Sequence, residues 1–177
     1  DDTVRLWDVE SKNPRPRVLT KYYDAALSIA FSPDGKYLVT SGSAHVTESP
    51  LRIFDLGTEA EAAPRLEGHI SWVYALAFSP DGRQLASAGG ESTIFVWDFA
   101  ARKLLHQLAG HGGQIRTLAF SPDAQRLVSG GVDLTIRIWD MTARRQVGFR
   151  RGHGAPVNTV AVSSDGQSIL SASVRGA

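Results

Sequence analysis

A repeated unit of 42 to 47 residues runs through the 177-residue chain and constrains its fold more than any other feature. A Trp–Asp or Phe–Asp pair recurs at Trp7–Asp8, Phe54–Asp55, Trp97–Asp98 and Trp139–Asp140. The segment AFSPDG begins at Ala30 and returns with small changes at Ala77, Ala119 and Ala161. A Gly–His pair stands at Gly68, Gly110 and Gly152. Because all three signals keep one order and one period, the chain repeats a single supersecondary unit.

Each unit contains four short strands according to its local chemistry. Apolar residues Val73, Leu76 and Phe78 are spaced three and then two apart, so the first strand carries one extra residue, as in a β-bulge. The sequence SPDG that follows favours a type I turn. A second strand, a third with β-branched alternation such as TIRIWD, and a less regular fourth strand complete the unit.

Four short antiparallel strands per period are typical of a propeller blade. On these motifs the sequence resembles the WD-repeat (WD40) β-propeller family over essentially its whole length, and the near-invariant FSPDG resembles the bacterial-type repeats of multidomain signalling proteins. The resemblance implies an all-β fold, a β-propeller of four-stranded antiparallel blades, with three complete blades and two half blades. A single domain is expected, with a half blade at 1–21, blades at about 22–67, 68–109 and 110–151, and a half blade at 152–177.

The two expected half blades are complementary, because the chain opens on a third strand and ends shortly after a second. Three outcomes stay open: a fragment of a longer propeller, a closed four-bladed ring, or two chains forming an eight-bladed assembly. Arg175 stands where the repeat expects an Asp, and Asp1 would supply that acid. This favours closure by the N-terminal segment, within one chain or between two.

The resemblance also implies a buried hydrogen-bonded set in each blade, made of His, Ser, Asp and Trp. The sets are His111, Ser129, Asp133 and Trp139; His69, Ser87, Glu91 and Trp97; and His153 and Ser171 with Asp1 and Trp7. Trp only donates and a carboxylate only accepts, whereas Ser and His do both, so the four side chains satisfy one another. In the first complete repeat Tyr22, Thr40, Glu48 and Phe54 stand at these positions, and Phe54 lacks the donor. That hydrogen-bonded chain is therefore broken, and we expect the blade to depend more on packing than the others do.

Ser, His and Asp at moderate spacing also suggest a hydrolase triad. A catalytic triad requires one exposed constellation with an oxyanion site, whereas this chain repeats the set in each period. The sequence therefore favours the structural interpretation and predicts no catalytic residues. No cofactor and no metal site are predicted, and His45 has no ligand partners nearby in sequence.

Charge is unevenly distributed along the chain, although the formal net charge is only +1. Residues 1–99 hold 9 Lys/Arg against 14 Asp/Glu, a net charge of −5, and residues 100–177 hold 10 against 4, a net charge of +6. Arg144, Arg145, Arg150 and Arg151 lie close together, as a solvated strand or a patch for an acidic partner. The chain has no cysteine and no apolar run of membrane-spanning length, which fits a cytoplasmic location.

The function that these observations favour is a non-enzymatic protein–protein interaction scaffold, the sensor or adaptor part of a signalling or regulatory protein. We expect protein partners, completion by self-association or by further blades, and no membrane partner. Candidate partner-binding residues flank the first-strand bulges: Trp72, Tyr74, Gln114, Arg116 and Asn158. The alternatives are polyanion or nucleic-acid binding by the basic C-terminal half, which would depend strongly on salt, and an enzyme carried on the propeller.

Overall fold

A computed structural model of the chain describes residues 2–10, 15–22, 24–43 and 50–173. Four residues named above lie outside these ranges: Asp1, His45, Glu48 and Arg175. Sixteen strands and no helix occur in the described part. Accordingly, these ranges contain no helix of the length and hydropathy that a membrane crossing requires.

The strands form five separate antiparallel sheets in chain order, with two, four, four, four and two strands. The first sheet comprises β1 (Thr3–Leu6) and β2 (Arg17–Lys21). The second comprises β3 (Ala26–Phe31), β4 (Tyr37–Gly42), β5 (Leu51–Asp55) and β6 (Ala60–Glu61). The third comprises β7 (Val73–Phe78), β8 (Gln84–Gly89), β9 (Thr93–Asp98) and β10 (Lys103–Ala109). The fourth comprises β11 (Ile115–Phe120), β12 (Arg126–Gly131), β13 (Thr135–Asp140) and β14 (Arg145–Arg151). The last comprises β15 (Val157–Val162) and β16 (Ile169–Ser173).

The predicted fold class of three complete blades and two half blades is confirmed by these sheets. We call the complete blades A (β3–β6), B (β7–β10) and C (β11–β14). In each blade neighbouring strands pair in chain order, as a meander with hairpin connections requires. The positions at which one blade ends and the next begins stay a prediction.

The predicted first-strand bulge is present in all four copies of that strand. The register shifts between Val73 and Ala75, and the equivalent shifts occur in β3, β11 and β15. The SPDG turns that follow close with a bond from the fourth residue's N–H to the Ser carbonyl, 2.9 Å long at Gly82 and at Ala124. The fourth residue has a positive φ, which suits Gly82 (70°) better than Ala124 (58°).

The hydrophobic core lies between adjacent blades. Trp97 of blade B clusters with Val39, Leu51 and Ile53 of blade A, and Trp139 of blade C clusters with Ala86 and Ile94 of blade B. Both indoles are 1% exposed. Because each sheet buries its face against a neighbouring sheet, the outermost sheets have uncovered apolar side chains. Within the described ranges the first and last sheets do not pair, and Trp7 beside β1 and Leu170 in β16 are at least half exposed. Ile29 and Phe31 of β3, in blade A next to the first sheet, are also at least half exposed.

Candidate functional site

Blade C contains the complete predicted set of four side chains in one continuous hydrogen-bonded chain. The Trp139 indole N–H donates to Ser129 Oγ over 2.8 Å, and Ser129 Oγ lies 2.7 Å from His111 Nε2. His111 Nδ1 lies 2.9 Å from Asp133 Oδ2. Burial lowers the pKa of His111, against the opposing effect of Asp133 and together with Arg137. A neutral ring fits the chain when Nδ1–H donates to Asp133 and Nε2 accepts the Ser129 proton.

Asp133 joins this chain to the backbone of two loops. Its carboxylate accepts Gly112 N–H at 2.9 Å and the Thr135 hydroxyl at 2.8 Å. Burial alone would raise the pKa of Asp133, but the bonds from Gly112, Thr135 and His111 outweigh it and lower the pKa to about 2. The carboxylate is therefore ionised at neutral pH and fixes the loop before β11.

Blade B builds the same chain with Glu91 in place of the aspartate. Trp97 Nε1 donates to Ser87 Oγ over 2.8 Å, and Ser87 Oγ lies 2.7 Å from His69 Nε2. Glu91 Oε1 accepts the backbone N–H groups of Ile70 (2.6 Å) and Ser71 (2.9 Å), in addition to a bond with His69 at 3.1 Å. The longer side chain thus holds two loop N–H groups. Burial raises the pKa of Glu91, but the His69 interaction and the Ile70 bond lower it to about 2 overall.

These sets lie in the interior of their blades and hold the adjoining loops in place. Ser87 and Ser129 are 0% exposed, so neither hydroxyl reaches solvent. Each hydroxyl is also engaged by both an indole and an imidazole. A buried group left without its partner costs roughly 1–3 kcal/mol, so each set contributes to the stability of its blade.

The other two sets are partial. In blade A the Tyr22 hydroxyl replaces the imidazole and lies 2.7 Å from Thr40 Oγ1, while Phe54 is buried without a donor. The guanidinium of Arg52 also lies 5.4 Å from the centre of the Tyr22 ring.

In the last sheet His153 Nε2 lies 2.8 Å from Ser171 Oγ. Trp7, predicted with Asp1 to belong to that set, directly follows β1 of the first sheet and is 52% exposed. The chain therefore does not bring Trp7 to His153 and Ser171 by itself, and Asp1 is outside the described residues.

The candidate partner-binding residues of blades B and C form one connected surface. The rings of Trp72 and Tyr74 lie 6.3 Å apart, and the Arg116 guanidinium stands 4.6 Å from the centre of the Tyr74 ring. Gln114 Oε1 accepts a 3.0 Å bond from Arg116 Nη2. Asn158 is exposed at the bulge of β15. Among the described residues no hydrogen bond or ring contact links it to these side chains. We call the side chains of Trp72, Tyr74, Gln114 and Arg116, together with the exposed Ile70 on the loop before β7, the aromatic surface.

Ile70 of the aromatic surface was missed by the sequence argument. Its side chain is 87% exposed, whereas its backbone N–H is held by Glu91. Gly112 and Gly154 stand at the equivalent positions of the next two repeats. A large apolar residue where the other copies have glycine is the signal that could have identified it.

Metal binding has no support among the described residues, where no three His, Asp or Glu side chains are grouped to hold an ion. Open pockets of about 330 to 480 Å³ lie between sheets in the described part of the chain. Blade turns and strands line them, including Tyr37, Phe99 and Arg102 in one pocket and His106 and Arg144 in another.

Comparison with known families gives one match that covers most of the chain. A family profile described as "WD domain, G-beta repeat" (WD40) matches residues 17–46, 62–98, 102–140 and 144–176.

Curated relatives match over shorter segments. "WD repeat and SOCS box-containing protein 1" of zebrafish (Danio rerio) is 32% identical over 95 residues, which is 54% of this chain and 22% of that protein. The human protein of that name is 31% identical over a segment of the same length. "F-box-like/WD repeat-containing protein TBL1X" of mouse is 57% identical over 37 residues, which is 21% of this chain and 7% of that protein. The chain thus aligns with about a fifth of the length of the first two relatives.

Solved structures agree with the fold. "Structure of U3-55K" matches with a TM-score of 0.73 and 23% identity, covering 82% of this chain and 45% of that one. "Crystal structure of RRP9 WD40 repeats" matches with a TM-score of 0.74 and 23% identity, covering 82% of this chain and 44% of that one. At this identity the likeness supports the fold alone.

Proposed function

The chain belongs to the WD40 family of WD domains with G-beta repeats, and from this membership we propose that it is a non-enzymatic scaffold for protein–protein interaction. Its role would be the sensor or adaptor part of a larger signalling or regulatory protein. The names of its relatives, which join WD repeats to a SOCS box or an F-box-like part, fit an adaptor role. The bacterial character of the repeats stays a prediction, since these relatives come from vertebrates.

The aromatic surface is the observation that carries this proposal. Ile70 and Trp72 are 87% and 37% exposed on a loop whose backbone is fixed by Glu91. A second backbone bond, from Gly90 N–H to the Trp72 carbonyl at 2.9 Å, holds the same loop to the end of β8. Because the loop is already ordered, a partner would bind it with little loss of conformational entropy.

The chemistry of the aromatic surface suits a protein partner. Trp, Tyr and Arg are the residues that most often dominate interface energies. The Arg116 guanidinium over Tyr74 adds a cation–π contact, worth about 0.5–1 kcal/mol at an exposed site. A partner segment with an apolar side chain for Ile70 and Trp72, and an acceptor for Arg116, would match this surface.

Affinity capture with the full chain tests the proposal. Wild type, Trp72→Ala and Leu104→Ala are compared by quantitative mass spectrometry, because Leu104 is an equally exposed apolar residue (39%) on β10. We expect proteins recovered by wild type and Leu104→Ala but depleted at least tenfold with Trp72→Ala, each then verified with purified protein. Equal recovery by all three, with unchanged thermal unfolding of Trp72→Ala, would refute the aromatic surface as the binding site.

Completion of the ring by self-association or by further blades is a second part of the proposal. Its support is the exposed Trp7 directly after β1 and the His153–Ser171 pair of the last sheet, to which no indole among the described residues donates. Light scattering tests self-association, and Trp7→Ala is expected to weaken it. A stable, compact monomer at high concentration would refute it.

Polyanion binding is a second candidate function, favoured by the arginines of β14. It predicts a steep loss of affinity for RNA between 50 and 200 mM salt, of about 10³-fold or more where six phosphates are contacted. A propeller-borne enzyme is favoured by no observation. We also propose a cytoplasmic location, which imaging of the tagged chain would test.

A further inference from the structure

The outer strand of blade C differs from the other outer strands in its side chains. β14 is seven residues long, lies at the edge of its sheet, and has the burial pattern of an almost fully exposed strand. Val147 and Phe149 are 43% and 52% exposed in its centre. β10 of blade B, the same strand of the preceding repeat, has equal length and two exposed leucines, but a single lysine.

The arginines of β14 have no acidic partners. Within the described ranges no ion pair involves Arg145, Arg150 or Arg151, although five other arginines are paired with carboxylates. The acid opposite Arg145 across the ladder, Asp140, is taken by Arg126 and by two backbone N–H groups of its own turn. The positive charge of this strand is therefore uncompensated.

The backbone of β14 is regular over its C-terminal half. Ile138 pairs with Gly148 and Trp139 pairs with Gln146, so Val147 is the extra residue of a β-bulge. From Gly148 to Arg151 each residue of β14 pairs with one residue of β13. Phe149 and Arg151 lie opposite Arg137 and Thr135, on one face, and the Arg151 guanidinium is 5.7 Å from the centre of the Phe149 ring. In the described part of the chain no strand lies on the outer side of β14. The Arg150 guanidinium donates to the Phe149 carbonyl over 2.9 Å, so a further strand can pair along this edge once Arg150 turns to an acidic side chain of the partner.

Two other interpretations explain less of this geometry. Charged side chains on an edge strand protect it against aggregation, but that role does not account for the exposed Val147 and Phe149. A nucleic acid would use the arginines but not the free backbone edge or Val147. A peptide added as a strand uses the arginines, the backbone edge and the exposed Phe149, because strand addition takes affinity from the backbone and specificity from the side chains.

We propose that β14 is a second docking surface, which binds an extended acidic peptide segment of a protein partner as an added strand along Gly148–Arg151. Glutamates or aspartates of the segment pair with Arg145, Arg150 and Arg151, and an apolar side chain lies on Phe149. This surface is on an outermost strand, whereas the aromatic surface lies at the start of the innermost strands. The two surfaces are therefore tested separately.

A fluorescein-labelled octapeptide of two Glu-Glu-Val-Glu repeats, titrated with the full chain in 50 mM salt, tests the proposal by fluorescence anisotropy. As an added strand it places glutamate and valine on the face of Arg151 and Phe149, and glutamates on the face of Arg150. We expect saturable binding that weakens at least tenfold in Arg145→Ala/Arg151→Ala and at least threefold in Phe149→Ser. Lys103→Ala on β10 and Trp72→Ala are the matched controls, and both should bind as wild type does. Thermal unfolding of each variant verifies that it is folded.

Two further probes separate strand addition from general polyanion binding. The same octapeptide with N-methyl groups on alternate residues keeps its charges but loses backbone bonds, and we expect at least tenfold weaker binding. A twelve-nucleotide oligouridine should bind more weakly than the octapeptide and should not respond to Phe149→Ser. The proposal is overturned if the octapeptide does not bind at concentrations up to 1 mM, if the N-methylated peptide binds as tightly as the octapeptide, or if the RNA binds more tightly than the octapeptide.

Discussion

Tyr22 Oη lies 2.7 Å from Thr40 Oγ1, in the blade where the histidine and the tryptophan of the other blades are both absent. The phenol thus occupies the position of the imidazole and keeps the link to the second strand. Tyr22 and Thr40 are 2% and 0% exposed, so the bond is shielded from water. Blade A therefore retains part of a polar chain and does not depend on packing alone.

Removing the Tyr22 hydroxyl should destabilise the protein measurably. Tyr22→Phe leaves the buried Thr40 hydroxyl without this partner, so we expect a loss of about 1–2 kcal/mol in the free energy of unfolding. Urea denaturation followed by circular dichroism measures it. Tyr74→Phe, on a partly exposed ring, is the control and should change stability by less than about 0.5 kcal/mol. Equal effects of the two substitutions would contradict this role.

Ser129 and Ser171 occupy the same position in two blades but have different numbers of partners. Ser129 bonds to both Trp139 and His111, whereas Ser171 bonds to His153. Ser129→Ala leaves the Trp139 indole N–H and His111 Nε2 without this hydrogen-bond partner. At about 1–2 kcal/mol per unpaired group, the free energy of unfolding should fall by about 2–4 kcal/mol in Ser129→Ala and by about 1 kcal/mol in Ser171→Ala. Denaturant titration of both variants tests the difference. A smaller loss for Ser129→Ala than for Ser171→Ala would be inconsistent with the hydrogen-bonded chain.

Stability should decrease as the pH falls from 7.5 towards 5. Burial lowers the pKa of His111 below its ordinary value of 6.5, so in this window the unfolded chain binds more protons at this side chain than the folded chain does. Protonation then favours the unfolded state, and His111 contributes a slope of at most about 1.4 kcal/mol per pH unit. His106, whose pKa is lowered by burial and by Arg144, adds to this slope. Thermal unfolding across this range measures it, and His111→Gln should flatten the curve. An unchanged slope in that variant would exclude His111 as the source.

A second decrease is expected in acid. The pKa values of Asp133 and Glu91 are lowered to about 2 from ordinary values of 3.8 and 4.5. Their contribution is therefore complete above about pH 5 and is lost as the pH falls from there towards 2. Asp133→Asn should lose part of this dependence, as measured by urea unfolding between pH 5 and pH 2.5. A variant that retains the full wild-type slope would contradict the assignment to Asp133.

Ala124→Gly should stabilise the protein. Ala124 has a φ of 58° at the turn position where Gly35, Gly82 and Gly166 stand in the other repeats. Relief of this left-handed conformation should raise the free energy of unfolding by about 0.5–1 kcal/mol. The reciprocal substitution, Gly82→Ala, should lower it by a similar amount in the same denaturation assay. Destabilisation by Ala124→Gly would show that unfolded-state entropy outweighs the turn strain.

Most side-chain contacts between blades could not be predicted from the sequence. Arg102 stands 4.0 Å from the Phe99 ring centre and 5.1 Å from that of Tyr37 in the preceding blade. Arg116 reaches Tyr74 of the preceding blade in the same way. Residues of different repeats have no fixed spacing in sequence, so only their placement on packed sheets reveals such pairs. Ile70 was missed for a related reason, because exposure depends on which neighbours cover a loop.

The sequence by itself determined the repeat, the four strands of each blade, the first-strand bulge and the residues of the buried His–Ser–Asp–Trp chains. The first three follow from local spacing, because strand alternation and turn chemistry act over a few residues. The residues of the buried chains were implied by the resemblance to the WD-repeat family, and their hydrogen-bonding capacities are complementary. Only the tertiary structure decided that Tyr22 bonds to Thr40, that Trp7 is half exposed and that the β14 arginines lack acidic partners in the described ranges. Those outcomes depend on which sheets pack together, and packing between distant segments is decided in three dimensions.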